Sequence, residues 1–452
     1  MTFSAVAFVI GVLVVAVGII LSIALHEIGH LVPAKLFGVR VTQYMVGFGK
    51  TLFSFKRGDT EYGIKAIPLG GYVAMIGMYP PAHPDQGEQP RNASTGLLQQ
   101  MSQDAREVAA AELREGDEHR MFISLPVWKR IIIMLGGPFM NLVIGTVLTA
   151  ILVTSVGVST PTTTVSEVFR CAISAQEQTE RAEAGAEECT DEDPTSPAYA
   201  AGLEPGDEIT SFNGEPVVDW ESLTEGIQQR ADQVTEITYL RDGTEHTTTI
   251  TPQLTARPQL DSLGRVQYDD DDNIITHHVG FIGMGSLVEN QTQPVTETFP
   301  VLGQQLEATA RVVVALPVRL WDTVVVIATD GERDPNGPMS VVGVGRIAGE
   351  AAAQETVSVA DRAAMLLSLI ASVNIALMVF NLIPLLPLDG GHVAGALWEK
   401  IRRTWAKLRG QKDPGPFDIA RLLPLTYIVA AGLMVMGAIL IVADIVKPVQ
   451  LF

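Results

Sequence analysis

The sequence predicts a polytopic α-helical membrane protein with four transmembrane helices, a membrane-associated β-hairpin region and an extracytoplasmic α+β domain. Three observations support this fold class. The 452-residue chain has a positive mean hydropathy. Four apolar runs approach the roughly 20 residues that a helix needs to cross a bilayer. A long region rich in Asp and Glu separates the second run from the third and is large enough to fold as a soluble insert.

Charge and cysteine content narrow the possible functions. The net charge of −20 argues against nucleic acid as a partner, because phosphate recognition needs clustered Lys and Arg. The chain has only two cysteines, Cys171 and Cys189, so a zinc site built from cysteines is excluded. Both lie in one polar region, where a single disulfide and two free thiols are equally compatible with the sequence.

The first apolar run, about residues 3–26, ends in the motif His26-Glu27-Ile28-Gly29-His30. It lacks a basic n-region and continues straight into the motif, so we expect it to be retained rather than cleaved as a signal peptide. On a helix, His26 and His30 lie one turn apart and can hold one zinc ion, with Glu27 beside them as a general base. Ionisable groups at membrane depth are costly and usually functional. The alternatives are a buried helix with satisfied histidines and a chance match.

The other candidate spans cover about residues 131–156, 364–388 and 424–446. Basic residues crowd the ends of the first and third connections, and the positive-inside rule places both connections in the cytoplasm. They are Lys35, Arg40, Lys129 and Arg130 in the first, and Lys400, Arg402, Arg403, Lys407, Arg409, Lys412 and Arg421 in the third. By alternation, the middle region of about 157–363 and both termini are expected outside.

The first connection is expected to contain a β-hairpin. Residues 51–55 and 62–67 are short β-type runs, and the polar turn 56–59 separates them. Residues 70–75 continue the pattern, and their glycines suit backbone that dips toward the bilayer while pairing its own hydrogen bonds. An ordinary cytoplasmic hairpin explains the same residues equally well. Residues 80–120 are polar and are expected to form an insertion without chemistry.

The outer region centres on residues 196–209 and 212–217, which together resemble the bacterial PDZ signature. A PDZ fold offers a sheet edge to which an extended peptide adds as a strand. A domain that sorts substrates by size without binding a peptide end fits the sequence equally well. The run Asp269-Asp270-Asp271-Asp272 is expected to be a solvated loop or a weak calcium site, and His277 and His278 are expected at the surface.

A catalytic zinc site typically has three protein ligands plus water, so the two histidines need a third partner. The strongest candidate is Asp389, at the end of the third span. The first and third spans both run inward in the topology above, so all three side chains are expected at the same side of the bilayer. His392 is a competing ligand, and an Asp with only an interfacial role is the remaining alternative.

The segment before Asp389 is rich in helix-breaking residues. Pro384 and Pro387 are expected to disturb the third helix, and Gly390-Gly391 to loosen it. Such a segment would free backbone near the metal, where a substrate peptide can be held.

In these pieces the chain resembles the site-2 protease family of intramembrane zinc metalloproteases, specifically the bacterial RseP-like branch that carries a PDZ domain. The matching pieces are His26 through His30, Pro68 through Val73, Gly137-Pro138 with Asn141, the PDZ core, Gly337-Pro338 and Asn381 through Gly391. The resemblance implies that His26, His30 and Asp389 bind zinc, that Glu27 is the base and that Asn381 helps to hold the substrate backbone.

The resemblance also implies a substrate class and a location. The substrates would be single-pass membrane proteins such as an anti-sigma factor, and remnant signal peptides would be a second class. The enzyme would lie in the bacterial cytoplasmic membrane with its active site toward the cytoplasm, and the hairpin of residues 41–78 would approach the bilayer and guide the substrate strand.

The chain departs from the family pattern in several places. Relatives often carry a second Asn five positions before the match of Asn381, but Ala376 stands there, and a substrate role does not follow for the nearby Asn374. A Gly-Phe-Gly-Pro motif reads Gly47-Phe48-Gly49-Lys50. Residues 80–120 and about 170–195 look like insertions, and one PDZ domain is expected where some relatives have two.

These assignments divide the chain into nine segments and leave two rival functions. The segments are 1–40 (first transmembrane helix with the zinc motif), 41–79 (membrane-associated β region), 80–126 (cytoplasmic polar insertion), 127–157 (second transmembrane helix), 158–290 (extracytoplasmic PDZ domain with insertions), 291–363 (extracytoplasmic connection), 364–392 (third transmembrane helix with the Asp ligand), 393–423 (cytoplasmic basic connection) and 424–452 (fourth transmembrane helix and C-terminus).

The main rival is a non-catalytic membrane scaffold whose PDZ domain recruits envelope proteins. A zinc transporter would need further polar residues along the spans, and the second and fourth spans have almost none.

Overall fold

The computed structural model describes residues 2–78, 114, 116–174, 177, 181, 189–190, 192–259, 275–329, 333 and 337–449. The expectations for the run Asp269-Asp270-Asp271-Asp272 and for most of the 80–126 insertion lie outside the described residues. The chain divides into two compact units, one formed by residues 1–152 with 295–452 and the other by residues 153–294.

The secondary structure elements are numbered in chain order. The helices are α1 (Thr2–Leu36), α2 (Val127–Ile151), α3 (Pro197–Ala200), α4 (Trp220–Gln228), α5 (Thr298–Ala328), α6 (Val341–Ala353), α7 (Val359–Asn381), α8 (Asp389–Leu408) and α9 (Leu423–Val446). The strands are β1 (Val41–Arg57), β2 (Thr60–Met75), β3 (Val158–Val168), β4 (Glu208–Phe212), β5 (Glu215–Pro216), β6 (Thr235–Arg241), β7 (Thr244–Ile250), β8 (Gln253–Pro258), β9 (Thr276–Phe281) and β10 (Met284–Gln291).

Four helices of the first unit are long and apolar enough to cross a membrane. They cover Ser4–Leu36, Val127–Val156, Val359–Asn381 and Leu423–Val446, which confirms the four predicted spans. Their outer surfaces are apolar: α1, for example, leaves Leu13 and Leu21 each 57% exposed. In water such a surface would be unfavourable, whereas lipid tails are as apolar as the side chains themselves.

The third span is shorter than predicted. The sequence predicts a helix over 364–388, but α7 ends at Asn381 and Asp389 begins the separate helix α8. Gly390 and Gly391 do not loosen this region, because both are buried in the first turn of α8. A Cβ at Gly390 would lie 2.4 Å from the carbonyl oxygen of Ile383. The glycines therefore let the segment between α7 and α8 pack directly on α8, which fixes the position of Asp389.

The predicted connection 291–363 contains two helices, α5 and α6. Helix α6 lies directly against α1, because a Cβ at Gly11 would come within 2.3 Å of the Ala348 carbonyl oxygen. The carboxylate of Asp444, in α9, accepts hydrogen bonds from the backbone N–H groups of Ser340 at 2.7 Å and Gly343 at 3.1 Å. A carboxylate at a helix N-terminus is favoured by the helix dipole. Helix α6 is therefore anchored to both α1 and α9.

Strands β1 and β2 form the predicted β-hairpin and then extend it. Gly58, with a φ of 64°, makes the turn between Arg57 and Thr60. Residues 43–46 lie between two segments of β2. They pair with residues 61–64 on one side and with residues 71–74 on the other. Residues 71–75 thus form an outer strand, which pairs along one edge only within the described part of the chain.

A buried ion pair joins α2 to α8. The guanidinium of Arg130 donates to the Glu399 carboxylate at 2.6 Å, and the two side chains are only 4% and 0% exposed. The second oxygen of Glu399 accepts a hydrogen bond from the backbone N–H of Phe417 at 2.9 Å. Because α8 begins with Asp389, this pair holds the helix that carries the predicted third ligand.

We expect Glu399→Gln to destabilise the protein strongly. The change leaves the Arg130 guanidinium buried without a charged partner, which typically costs about 3–5 kcal/mol. Thermal unfolding of the purified protein in detergent measures the loss. Glu307→Gln is the matched control, because Glu307 pairs with Arg311 at an exposed site, where such pairs contribute about 0–1 kcal/mol. Equal midpoints for the two variants would contradict a structural role for the buried pair.

The second unit is an α+β domain. Its main sheet has the order β10-β3-β4-β6-β7, β5 pairs with β4, and β8 and β9 form a separate pair. Leu223 and Ile227 of α4 pack into a core with Ile209, Ile237 and Tyr239. The α+β class agrees with the sequence analysis, while the PDZ assignment stays a prediction.

Local contacts of the second unit decide between the two alternatives for the cysteines and agree with one expectation. Cys171 and Cys189 form a disulfide, so the alternative of two free thiols does not hold. His277 and His278 are exposed in β9, as expected. Asp207, in the predicted PDZ signature, is 1% exposed and accepts hydrogen bonds from Arg241 Nε at 2.7 Å and Nη2 at 2.8 Å. It thereby fixes the loop before β4 to β6.

Candidate active site

Helix α1 places the three polar residues of its motif near its C-terminal end. His30 is 6% exposed and Glu27 is 8% exposed, and the Nε2 atoms of His26 and His30 lie 3.3 Å apart. The one-turn spacing brings both imidazoles to one face of the helix. At this distance, the two ring nitrogens face a common position beside α1.

Asp389 comes to the same position from α8. Its Oδ2 lies 3.4 Å from Nε2 of His26 and 3.4 Å from Nε2 of His30. Ligand atoms about 2.0–2.1 Å from a zinc ion, at tetrahedral angles, lie about 3.3–3.4 Å from one another. The three side chains are the only group of this kind found among the described residues. The spacing of their ligand atoms therefore fits one tetrahedral zinc ion with a fourth position open.

The surroundings of His30 fix its ring. Nδ1 of His30 lies 2.7 Å from the carbonyl oxygen of Ile133 in α2, and since a carbonyl only accepts, Nδ1 carries the proton. The Nε2 lone pair of His30 is then directed at the shared position. A hydrogen bond from the ring nitrogen that faces away from the metal orients histidine ligands in this way in metal sites. Nδ1 of His26 is buried and has no hydrogen-bond partner among the described residues.

Glycines bring α1 and α2 into close contact beneath the histidines. A Cβ at Gly136 would lie 2.0 Å from the Gly29 carbonyl oxygen. At Gly137 it would lie 2.2 Å from Nε2 of His30 and 2.6 Å from Nε2 of His26. Gly137, which the sequence analysis noted as part of a Gly-Pro pair, therefore lies directly against the two imidazoles. No larger residue fits there without moving them.

A cavity of about 310 Å³ opens on these residues. Its wall combines α1, α2, the outer strand of the hairpin, α7 and α8. The lining residues are His26, Glu27, His30, Gly71, Tyr72, Val73, Met75, Met78, Met134, Asn381, Pro387, Asp389 and His392. The cavity is large enough for a short stretch of extended peptide and is bordered along one side by the strand 71–75.

The structure brings together all the residues that the sequence analysis selected for the site. Asn381 lines the cavity as the last residue of α7. His392 also lines it but does not belong to the group of three ligand atoms. Asn374 does not line the cavity: it is fully buried and donates to Ser22 Oγ at 2.9 Å, so it ties α7 to α1 one turn before His26.

Sequence reasoning missed several contacts that position the site. The hydroxyl of Tyr44 donates to the Ala24 carbonyl oxygen at 2.8 Å and joins β1 to α1. The Arg130–Glu399 pair holds α8. No local signal identifies these residues, since their partners are distant in the chain. The glycines around Gly71 predict only a backbone that dips toward the bilayer, and not its contact with Glu27.

Gly71 lies directly under Glu27. A Cβ at this position would be 2.8 Å from Cγ of Glu27 and 3.0 Å from the Met45 carbonyl oxygen. We expect Gly71→Ala to displace the Glu27 carboxylate. The predicted role of Glu27 as the base then implies at least about a 10-fold lower turnover, because reacting groups must be held within about 0.5 Å. Zinc content should stay unchanged. Gly432→Ala in α9, where an added Cβ meets nothing within 4 Å, is the control. Full turnover in Gly71→Ala would contradict this constraint on Glu27.

Comparison with known proteins agrees with this geometry. The profile of Peptidase family M50 matches residues 14–413, a range that contains all four motif and ligand positions. The chain is 32% identical to Zinc metalloprotease Rip1 of Mycobacterium tuberculosis, with 98% of this chain and 99% of the relative covered. Identity to Rip1 of Mycolicibacterium smegmatis is also 32%, over 98% and 99%. Metalloprotease MmpA of Caulobacter vibrioides is 27% identical over 91% of each chain.

Proposed function

The chain belongs to peptidase family M50, and from this we propose that it hydrolyses a peptide bond in or near the transmembrane segment of single-pass membrane proteins. It is a membrane zinc metalloprotease of the site-2 protease type. Family membership decides against the non-catalytic scaffold and the zinc transporter. The observation that supports the finer proposal most directly is the cluster of His26, His30 and Asp389 beside apolar, membrane-length α1.

We assign zinc binding to His26, His30 and Asp389, because their ligand atoms are spaced for a tetrahedral ion with one open position. Zinc bound there supplies a Lewis acid that polarises a carbonyl and makes water a nucleophile near pH 7. Glu27 lines the same cavity without belonging to the ligand group. Its carboxylate takes the proton from the attacking water and returns it to the leaving amine.

The outer strand 71–75 is suited to receive the substrate. A transmembrane helix hides its carbonyls in its own hydrogen bonds, so it must unwind locally before attack. Residues 71–74 pair with 43–46 along one edge, and Gly71, Tyr72 and Val73 line the cavity. An unwound substrate segment would add as a further strand to the edge of 71–75 that is unpaired among the described residues, and so satisfy its backbone groups.

Asn381 is placed to hold the substrate backbone. It ends α7 at the rim of the cavity, where the chain turns into the Pro-containing segment before α8. Its side-chain amide carries both a donor and an acceptor, which match one peptide unit of an extended chain. Asn381 and the strand 71–75 thus line the same cavity and would hold one substrate segment together.

The outer domain and the distribution of charge support a proposal for the substrate class. The distribution of Lys and Arg supports an active site toward the cytoplasm and an extracytoplasmic PDZ-type domain. We propose that this domain excludes proteins whose external part is still bulky, so that cleavage follows an earlier cut. Anti-sigma factors, and remnant signal peptides as a second class, have this single-span form.

Cleavage by the purified full-length protein in lipid vesicles tests the proposal. The substrates are two matched single-span proteins, one with Gly and Pro in its membrane helix and one with Leu at those positions. We expect cleavage within the span, faster for the helix-weakened substrate, lost on treatment with a zinc chelator and recovered on adding zinc. Cleavage confined to soluble parts of the substrate, or insensitive to the chelator, would contradict the proposal.

A further inference from the structure

His392 is the polar residue of the cavity that has no task in the mechanism above. It lies three residues after Asp389 on α8, so the two side chains project from the same face of the helix. Its ring lines the cavity together with the three ligands and Glu27, but it is not part of the ligand group. Its Nδ1 is buried and has no hydrogen-bond partner among the described residues.

Such an arrangement is costly unless the group acquires a partner. Burying a polar group without a hydrogen bond removes its hydrogen bonds to water and so destabilises the protein. A substrate bound in the cavity would bring peptide carbonyl oxygens to this ring. A neutral imidazole carries one N–H, and His392 offers it to the substrate in the tautomer that protonates the ring nitrogen facing the cavity.

We propose that His392 donates a ring N–H hydrogen bond to the carbonyl oxygen of the scissile peptide and stabilises the negative charge that develops there. This inference rests on the proposed proteolytic function. The base Glu27 and the charge-stabilising donor His392 would then act on the peptide from α1 and α8 respectively. A donor of this type accelerates acyl transfer because it is already oriented when the charge appears.

The other polar side chains of the cavity are less suited to this task. The hydroxyl of Tyr72 donates to Oε1 of Gln43 at 3.0 Å, so its proton is already used. Asn381 is separated from Asp389 by a non-helical segment that follows α7. His392 shares a helical turn with Asp389, so its distance from the metal position is set by the helix itself.

The experiment compares His392→Leu, His392→Gln and His392→Asn with the wild-type protein in the vesicle cleavage assay. We expect His392→Leu to lower kcat by about 10²–10³-fold, the usual effect of losing one oxyanion donor, with little change in KM. The amide nitrogens of Gln and Asn reach about as far as Nε2 and Nδ1. One of these two variants should therefore recover at least a tenth of the wild-type kcat.

Two measurements separate charge stabilisation from other roles. Zinc content and the rate of zinc loss to a chelator should be unchanged in all three variants, whereas a ligand role would lower the content and speed the loss. Affinity for a phosphinate peptide, which imitates the charged intermediate, should fall in His392→Leu in parallel with kcat/KM. Thermal unfolding of each variant identifies any loss that is due to misfolding.

Each outcome bears on the proposal. Wild-type turnover in His392→Leu, loss of zinc in step with activity, or unaltered phosphinate affinity would each overturn it. If the wild-type protein cleaves and His392→Leu cleaves equally, only the role of His392 fails. Absence of cleavage by the zinc-loaded wild-type protein would overturn both this inference and the proposed function.

Discussion

Glu27→Gln should leave zinc bound and lower cleavage of a single-span substrate by about 10²–10⁴-fold, the range usually lost with a general acid–base group. Glutamine has nearly the same shape as glutamate but does not accept a proton at neutral pH. Glu27 lines the cavity and lies outside the group of three ligand atoms, so the metal should remain. Zinc content by elemental analysis and initial cleavage rates in vesicles measure the two effects separately.

The matched control for this change is Glu225→Gln, in which an exposed glutamate of α4 loses its charge in the other unit. It should cleave at the wild-type rate. If Glu27→Gln also cleaves at that rate, Glu27 is not the base. If it loses zinc to the same extent as activity, Glu27 acts on the metal site and the assignment of ligands must change.

Gly137→Ala should abolish activity by a different route, through loss of zinc. The added Cβ would lie 2.2 Å from Nε2 of His30 and 2.6 Å from Nε2 of His26, whereas ordinary contact begins at 3.4 Å. Both imidazoles must therefore move by more than the roughly 0.5 Å that a functional site tolerates. We expect zinc affinity to fall by at least about 100-fold, since loss of the outer contacts that orient metal ligands alone costs about 10–100-fold.

Competition with a fluorescent chelator measures this affinity in the purified protein. Gly432→Ala provides the control, because it adds the same methyl group to another membrane helix with nothing within 4 Å. It should bind zinc and cleave normally. Wild-type zinc affinity in Gly137→Ala would mean that α1 and α2 can separate at little cost, contrary to the close contact between Gly29 and Gly136.

The sequence predicted the membrane helices well and the segment before Asp389 less well. Hydropathy depends only on composition along one run of residues, so all four spans were found, although α1 continues past residue 26 to Leu36. The end of α7 depends on two prolines and on packing, and the helix stops at Asn381 rather than at residue 388. Gly390 and Gly391 were interpreted as loosening residues, yet they are buried because the preceding loop packs against them.

The stretch 291–363 shows the limit of hydropathy more clearly. Helix α6 is short and rich in Gly and Ala, so its composition does not separate it from a linker. Its helical state depends on α1 against one face and on Asp444 at its N-terminus. Short helices gain most of their stability from such tertiary packing.

By itself, the sequence determined the class of the protein, the number of spans and the side chains suited to hold zinc. These follow from local patterns: apolar length, the one-turn spacing of His26 and His30, and a carboxylate at the end of another span. Only the tertiary structure decided how those side chains meet. Gly137 sets how closely the two histidines lie to α2. The Arg130–Glu399 pair and the buried glycines fix Asp389. The fold of β2 brings Gly71 under Glu27. Each contact joins residues far apart in the chain, and the sub-ångström precision with which metal ligands must be placed depends on the packing of whole helices.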